Sequence, residues 1–248
     1  MKSFRILDPI VPSERAGGLC ALAVMTKAPQ AGQVKTRLVP PLTPEQAAEL
    51  NKCFLRDTAA AISSAIGGHN ACGIAVYTPI GAESAYDDIF SSNVSLLPQR
   101  GEEFGERLYL AAQDLFQCGF KSVCLIDSDS PTVSAENFAQ AVRLLQRPRD
   151  RTVLGPCDDG GYYLIGLKKP HRELFERIDW STERVLAQTM QRAREIGLEV
   201  ELLEPGYDVD DAASLRRLCN ELLGHTAALD IAPHTRKFLR KLMVHEEL

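Results

Sequence analysis

Several familiar signatures are missing from this 248-residue sequence. Its seven cysteines, Cys20, Cys53, Cys72, Cys118, Cys124, Cys157 and Cys219, are odd in number and never stand in C-x-x-C spacing. That argues against a disulfide framework and for a reducing compartment, hence the cytoplasm. Several lie in apolar runs, where a free thiol behaves as a small hydrophobe. The five histidines are dispersed too, so no zinc site is expected. The dinucleotide fingerprint G-x-G-x-x-G is absent, which argues against an NAD-linked dehydrogenase, and there is no Walker A spacing. No serine or cysteine sits in a nucleophile elbow, so nothing supports a catalytic triad. Apolar stretches are too short to span a bilayer. The N-terminus is basic but has no apolar h-region before Ala16-Gly17-Gly18, so no signal peptide is expected. The net charge is −5, which argues against non-specific binding to nucleic acid or a membrane surface.

What is present is ordinary globular composition, with enough chain for one sizeable core. Residues 1–18, with Pro9, Pro12, Gly17 and Gly18, read as a flexible leader. Residues 19–248 read as one domain, without internal repeat, low-complexity tract or linker. Strands are expected at 19–25, 71–77, 94–97, 123–126, 151–154, 162–167 and 198–203. Helices are expected at 44–66, 105–118, 134–145, 181–195, 212–223 and 233–243. Thr43 is the expected cap of the first helix, with Pro44 in its first turn. Alternation of strands and helices predicts a mostly parallel α/β sheet. Gly160-Gly161 leads straight into Tyr162–Leu167 without room for a crossover helix, so one antiparallel element is expected there.

Chemistry is concentrated where strands end. Val123-Cys124-Leu125-Ile126 runs into Asp127-Ser128-Asp129. In open α/β sheets ligands bind outside the carboxyl ends of strands. Two carboxylates there repel by roughly 4 kcal/mol at ~4 Å and an effective dielectric of ~20. A divalent cation removes that repulsion and favours oxygen ligands and phosphates. The same tripeptide also reads as a solvated turn before a helix cap. The loop from Lys27 to Leu38 carries Lys27, Gly32, Lys35 and Arg37: fixed charge, a planar fork and close backbone approach for nucleotide phosphates, or simply a solvated basic loop. Gly155–Gly161 places Asp159 before Gly160 and Gly161. Asp159 suits orienting or deprotonating an acceptor hydroxyl, and Asp-Gly is equally a hairpin signal. Asp208-Val209-Asp210-Asp211 exceeds what a helix cap needs, and Asp210 becomes a second metal carboxylate if this turn folds beside Asp129. Arg107 stands near a helix N-terminus, a place that favours anions, but beside Glu102, Glu103 and Glu106. Trp180, the single tryptophan, suits stacking on a sugar or plain packing.

In order, K-A-P-x-x-G-x-V-K-T-R-L from Lys27, D-x-P at Asp129, G-P-x-x-D-G-G-Y-Y-L-I-G-L from Gly155 and D-V-D at Asp208 resemble the bacterial DUF2064 proteins. These are nucleotide-diphospho-sugar-transferase-like proteins of the glycosyltransferase A fold. The first motif is also similar to that of 2-phospholactate guanylyltransferases. The resemblance spans residues 19–243. It implies a Rossmann-like nucleotide-binding sheet, a nucleoside-diphosphate-sugar or nucleoside-triphosphate donor, a small-molecule acceptor, and Mg²⁺ or Mn²⁺. It implies Asp129 and Asp210 as metal ligands, and Lys27, Lys35 and Arg37 facing phosphates. Asp159, Gly160 and Gly161 would border the acceptor. Three functions remain open: glycosyl transfer, nucleotidyl transfer with release of pyrophosphate, and a degenerate nucleotide-binding module. The chain departs from the pattern at Asp127, where glycine is usual, at Asp211, where threonine is usual, and at Ser214, where an acid is usual.

Overall fold

The computed structural model describes residues 4–11, 16–224 and 230–245. Seven strands form one sheet: β1 Cys20–Lys27, β2 Ala71–Thr78, β3 Ser95–Pro98, β4 Ser122–Ile126, β5 Arg151–Pro156, β6 Tyr162–Leu167 and β7 Glu199–Leu202. Their order is β3-β2-β1-β4-β6-β5-β7. Every pairing is parallel except those of β6, which runs antiparallel to β4 and β5. The expected antiparallel element is therefore β6, reached from β5 through a short turn.

Among the described residues six α-helices flank the sheet: α1 Pro44–Ile66, α2 Phe104–Gln117, α3 Ala135–Gln146, α4 Val185–Glu195, α5 Ala212–Leu223 and α6 Pro233–His245. Side chains of a strand alternate between its faces. In β1, Ala21 and Ala23 join Leu108, Ala112 and Leu115 of α2 in one core. Cys20 and Leu22 join Ile62 of α1 and Phe138 and Val142 of α3 in another. This two-sided cover explains why β4 is an unbroken apolar run, buried at all five residues. A third cluster joins Leu38, Phe54, Val209, Leu215 and Leu239, and so ties the loop after β1 to the turn before α5.

Local chemistry sets the element ends. Thr43 caps α1 as expected: its hydroxyl accepts from Gln46 N at 3.2 Å and Gln46 Oε1 accepts from Thr43 N at 2.7 Å. Such a box is worth about 1 kcal/mol. The helix expected from Ser181 begins only at Val185. Ser181 has φ +62°, outside helical space, and Thr182 Oγ1 donates to the Asp179 carbonyl at 2.7 Å, so residues 179–184 form a turn instead. Part of the segment read as a leader is paired: Leu7 N donates to Leu96 O at 2.8 Å, Leu96 N donates to Arg5 O at 2.9 Å, and Gly17 bridges Phe120. Residues 1–3 and 12–15 of that segment lie outside the described residues. Among the described residues no helix is long and apolar enough to cross a membrane.

The topology gathers the loops. β1, β4, β5 and β7 point the same way, so the segments following them emerge at one edge. Val24 pairs with Ile126, so β1 runs on past the end of β4 and the Lys27 loop starts beside the segment Asp127-Ser128-Asp129. Val209 N donates to Asp129 O at 2.9 Å, and Gly206 N donates to Pro156 O at 2.8 Å. The segment after β7 is thereby fastened to the ends of β4 and β5.

Candidate active site

Lys35 has the unusual backbone of the basic loop, φ +50° and ψ 36°. For a residue with a Cβ this left-handed region costs roughly 1–2 kcal/mol. The turn Thr36–Leu38 follows, with Leu38 fully buried. Lys35 Nζ lies 2.9 Å from Asp129 Oδ1 and 3.0 Å from Asp210 Oδ1, and donates to Val209 O at 2.7 Å. It stands 5.6 Å from the centre of the Phe54 ring. Only 5% of its side chain is exposed. Burial works against the ammonium, but the two carboxylates more than offset it, and the Lys35 pKa is raised. The resemblance turned Lys35 toward phosphates, whereas here it turns inward and bridges the two aspartates. Arg37 remains available, with 74% of its side chain exposed and Nη1 3.7 Å from Asp210 Oδ2. Lys27 Nζ donates to Gln33 Oε1 at 3.2 Å.

The acids of this edge differ in role. Asp211 is the helix cap: its Oδ1 accepts from Ala213 N at 3.0 Å and Ser214 N at 2.8 Å. Ser214 completes the box, accepting from Asp211 N, so the departures at 211 and 214 form a working cap. Asp158 turns to Arg217, whose Nη1 is 2.6 Å from its Oδ2. Asp127 accepts from Ser130 Oγ at 2.7 Å. Burial and the charge of Asp129 hold its carboxyl well above the usual range, although the Ser130 hydroxyl pulls the other way. Asp208 is pushed up to about 6 by burial and by the charges of Asp210 and Asp159. Asp159 Oδ1 accepts from Gly161 N at 2.8 Å, inside the β5–β6 turn. Gly160 has φ +86°, and a Cβ there would collide with the Glu183 carbonyl. Only glycine lets the turn dock on residues 179–184.

Two cavities meet at Asp129 and Asp210. The smaller, about 250 Å³, is lined by Lys27, Lys35, Arg37 and Asn51 with those two aspartates. The larger, about 560 Å³, is lined by Asp127, Asp159, Glu183 and Asp208 beside them, and by Phe104, Tyr162 and Trp180. Among the described residues, Arg37 is the one cation lining the larger cavity, against six carboxylates. Trp180 meets Phe104 edge to face at 5.2 Å, and a Cβ on Gly105 would collide with its indole. The expected Arg107 and Gly32 line neither cavity. Arg107 Nη1 instead donates to Glu102 O at 3.2 Å, with its guanidinium 5.9 Å from the centre of the Phe104 ring. Gly32 turns the loop at φ +73°. Asn51 was not foreseen. It is 4% exposed and its Oδ1 has no hydrogen-bond partner. The available signal was an amide on the face of α1 that also carries Ala47, Leu50 and Phe54.

Among the described residues no group of three or more His, Cys, Asp or Glu stands where it could hold a metal ion. Asp129 and Asp210 offer oxygen donors only, and Lys35 bridges their Oδ1 atoms, leaving each Oδ2 outside that bridge. Two carboxylates with open valences fit a hard cation that completes its shell with phosphate and water.

The architecture defines a class: the α/β fold of nucleotide-using transferases. A protein of Desulfovibrio desulfuricans G20, provisionally described as a nucleotide-diphospho-sugar transferase, superposes with a TM-score of 0.80 at 28% identity, over 92% of this chain and 96% of its own. At the level of fold alone, 4-diphosphocytidyl-2C-methyl-D-erythritol synthase of Anaerococcus prevotii DSM 20548 matches with a TM-score of 0.53 at 12% identity, covering 85% of this chain and 99% of that one. Rv0371c of Mycobacterium tuberculosis H37Rv, solved in complex with manganese, matches with a TM-score of 0.50 at 16% identity, covering 82% and 98%. No curated protein matches in sequence. The family model of DUF2064, described as uncharacterized protein conserved in bacteria, matches residues 62–182, a segment that takes in β2 to β6 and the Gly155–Gly161 turn.

Proposed function

We propose that the protein is a metal-dependent glycosyltransferase that moves a sugar from a nucleoside-diphosphate sugar to a hydroxyl of a small-molecule acceptor. The observation that carries this reading is the junction of two unlike cavities at Asp129 and Asp210. The basic one suits a diphosphate, for which Lys27 and Arg37 supply charge and N–H donors. The other combines an aromatic wall with carboxylates, a lining suited to the apolar faces and hydroxyls of a sugar. Its excess of carboxylates opposes a phosphorylated or carboxylated acceptor, which the nucleotidyl-transfer reading requires.

Asp129 and Asp210 would hold Mg²⁺ or Mn²⁺, which when bound neutralises charge on the diphosphate as it leaves. Arg37 would stabilise the same oxygens from the solvent side. Asp159, held by the Gly161 amide, is the group assigned to bind the acceptor hydroxyl and accept its proton. Purified protein incubated with Mn²⁺ and a panel of sugar nucleotides is expected to release nucleoside diphosphate in an acceptor-dependent manner. Release of pyrophosphate from a nucleoside triphosphate, with every sugar nucleotide inert, would replace glycosyl by nucleotidyl transfer. Binding without turnover of either donor class would leave only a nucleotide-binding module.

A further inference from the structure

The Lys35 ammonium has three N–H groups, and three oxygens stand around it: Asp129 Oδ1, Asp210 Oδ1 and Val209 O, all within 3.0 Å. Both ends of this arrangement are anchored, because Leu38 and Val209 are fully buried in one apolar cluster. Its backbone conformation, costly for a lysine, aims the side chain at the carboxylates. A lysine meant for a phosphate needs a free N–H and room to move. Lys35 would have to leave one of these partners to make such a contact.

We propose that Lys35 is the resident cation of the site: it holds Asp129 and Asp210 together and keeps divalent metal out until an anionic donor enters. The inference rests on Asp129 and Asp210 as the metal carboxylates, and is independent of whether a sugar or a nucleotide is transferred. Two carboxylates and one ammonium leave a single negative charge for a divalent ion, and the ammonium repels it. The donor's diphosphate brings further negative charge and oxygen ligands. Metal and donor therefore bind with positive coupling, each strengthening the other. Lys35 acts in this as a positioning residue.

The test titrates Mn²⁺ alone into the full chain, following free Mn²⁺ by electron paramagnetic resonance with nucleotide absent. Wild type is expected to bind weakly. Lys35→Met and Lys35→Gln are expected to bind at least about tenfold more tightly, because a neighbouring like charge is gone. Lys35→Arg keeps the charge and is expected to return to weak binding. Adding Asp129→Asn to either neutral variant should cancel the gain. Circular dichroism establishes that each variant is folded. Lys35→Gln can still donate to the Val209 carbonyl, and it decides the matter if Lys35→Met does not fold. Neutral variants that bind Mn²⁺ no more tightly than wild type, or a gain that survives Asp129→Asn, would overturn the proposal. A gain found in a protein that turns over no sugar nucleotide would retire the glycosyl reading and leave the resident cation standing.

Discussion

Five of the aspartates at one edge of the sheet line the larger cavity, and they divide into two groups. Asp129 and Asp210 share the buried ammonium of Lys35. Among the described residues, Asp127, Asp159 and Asp208 make no ion pair, and of the five they line the larger cavity alone, whereas Asp129 and Asp210 also line the smaller one. The first group is held in a fixed relation by a cation already inside the protein. The second lacks such a partner, and burial, with the charge of neighbouring carboxylates, raises the pKa of Asp127 and Asp208. Like charges kept together without a partner cost stability, and active sites are where such arrangements concentrate. On the proposed function the contrast would separate two tasks: the paired acids would fix where metal and phosphate meet, and the unpaired ones would shape what lies beyond them.

The sharpest way to break this division is Asp129→Asn. An asparagine oxygen still accepts from Lys35, so the protein should stay folded, with a melting temperature lowered by the charge lost from the Lys35 bridge. Turnover should fall by about 10²–10³-fold, the usual cost of losing one charged stabiliser of a leaving group. Steady-state kinetics across a Mn²⁺ series measures both. A variant with unchanged metal dependence would remove Asp129 from the metal reading.

Asp159→Asn probes the other group. As the assigned acceptor base its loss should lower kcat by about 10²-fold. Its hydrogen bond from Gly161 N is kept by an amide oxygen, so donor affinity and Mn²⁺ dependence should stay at wild-type levels. Isothermal titration with the donor, set beside the kinetics, separates the two. If donor affinity falls as far as kcat, the acids of the larger cavity serve the donor and the division fails.

Much of this layout was legible in the chain. Apolar runs of strand length, the Thr43 cap and the crowded turn at Gly160-Gly161 fixed the sheet and its antiparallel element, because each is a local rule that tertiary contacts reinforce. The ends of β4, β5 and β7 carried the acids, and the topology brings them to one edge. What could not be read is which charge meets which. The basic loop supplies Lys27, Lys35 and Arg37 as equals, and only the contact with Asp210, 175 residues away, makes Lys35 the buried one. Asn51 was hidden for the same reason: its environment is made by the loop folding over α1, not by its neighbours in sequence. Arg107 drew notice because a helix N-terminus invites an anion, and sequence could not show that its guanidinium meets the Glu102 carbonyl and the Phe104 ring.

The smallest effect is a change in stability, and it has a definite sign. Asp208 has a folded pKa of about 6, raised above the unfolded value of about 3.9. A group raised in this way contributes stability that is fully present below about pH 3.9 and is lost as pH rises through about 6. In its charged form Asp208 therefore weakens the fold at neutral pH. Asp208→Asn should stabilise the protein at pH 8 and make no difference at pH 4. Partial exposure screens the interaction, so the gain should be about 1 kcal/mol or less, an upward shift in melting temperature of about 2 °C for a chain of this size. Thermal unfolding with a chelator present keeps divalent metal from masking the effect. The same substitution at Asp210 should lower the melting temperature at pH 8, since it takes a charge from the Lys35 bridge instead of relieving one. If both variants shift the same way, the two groups of acids are one field and Lys35 does not divide them.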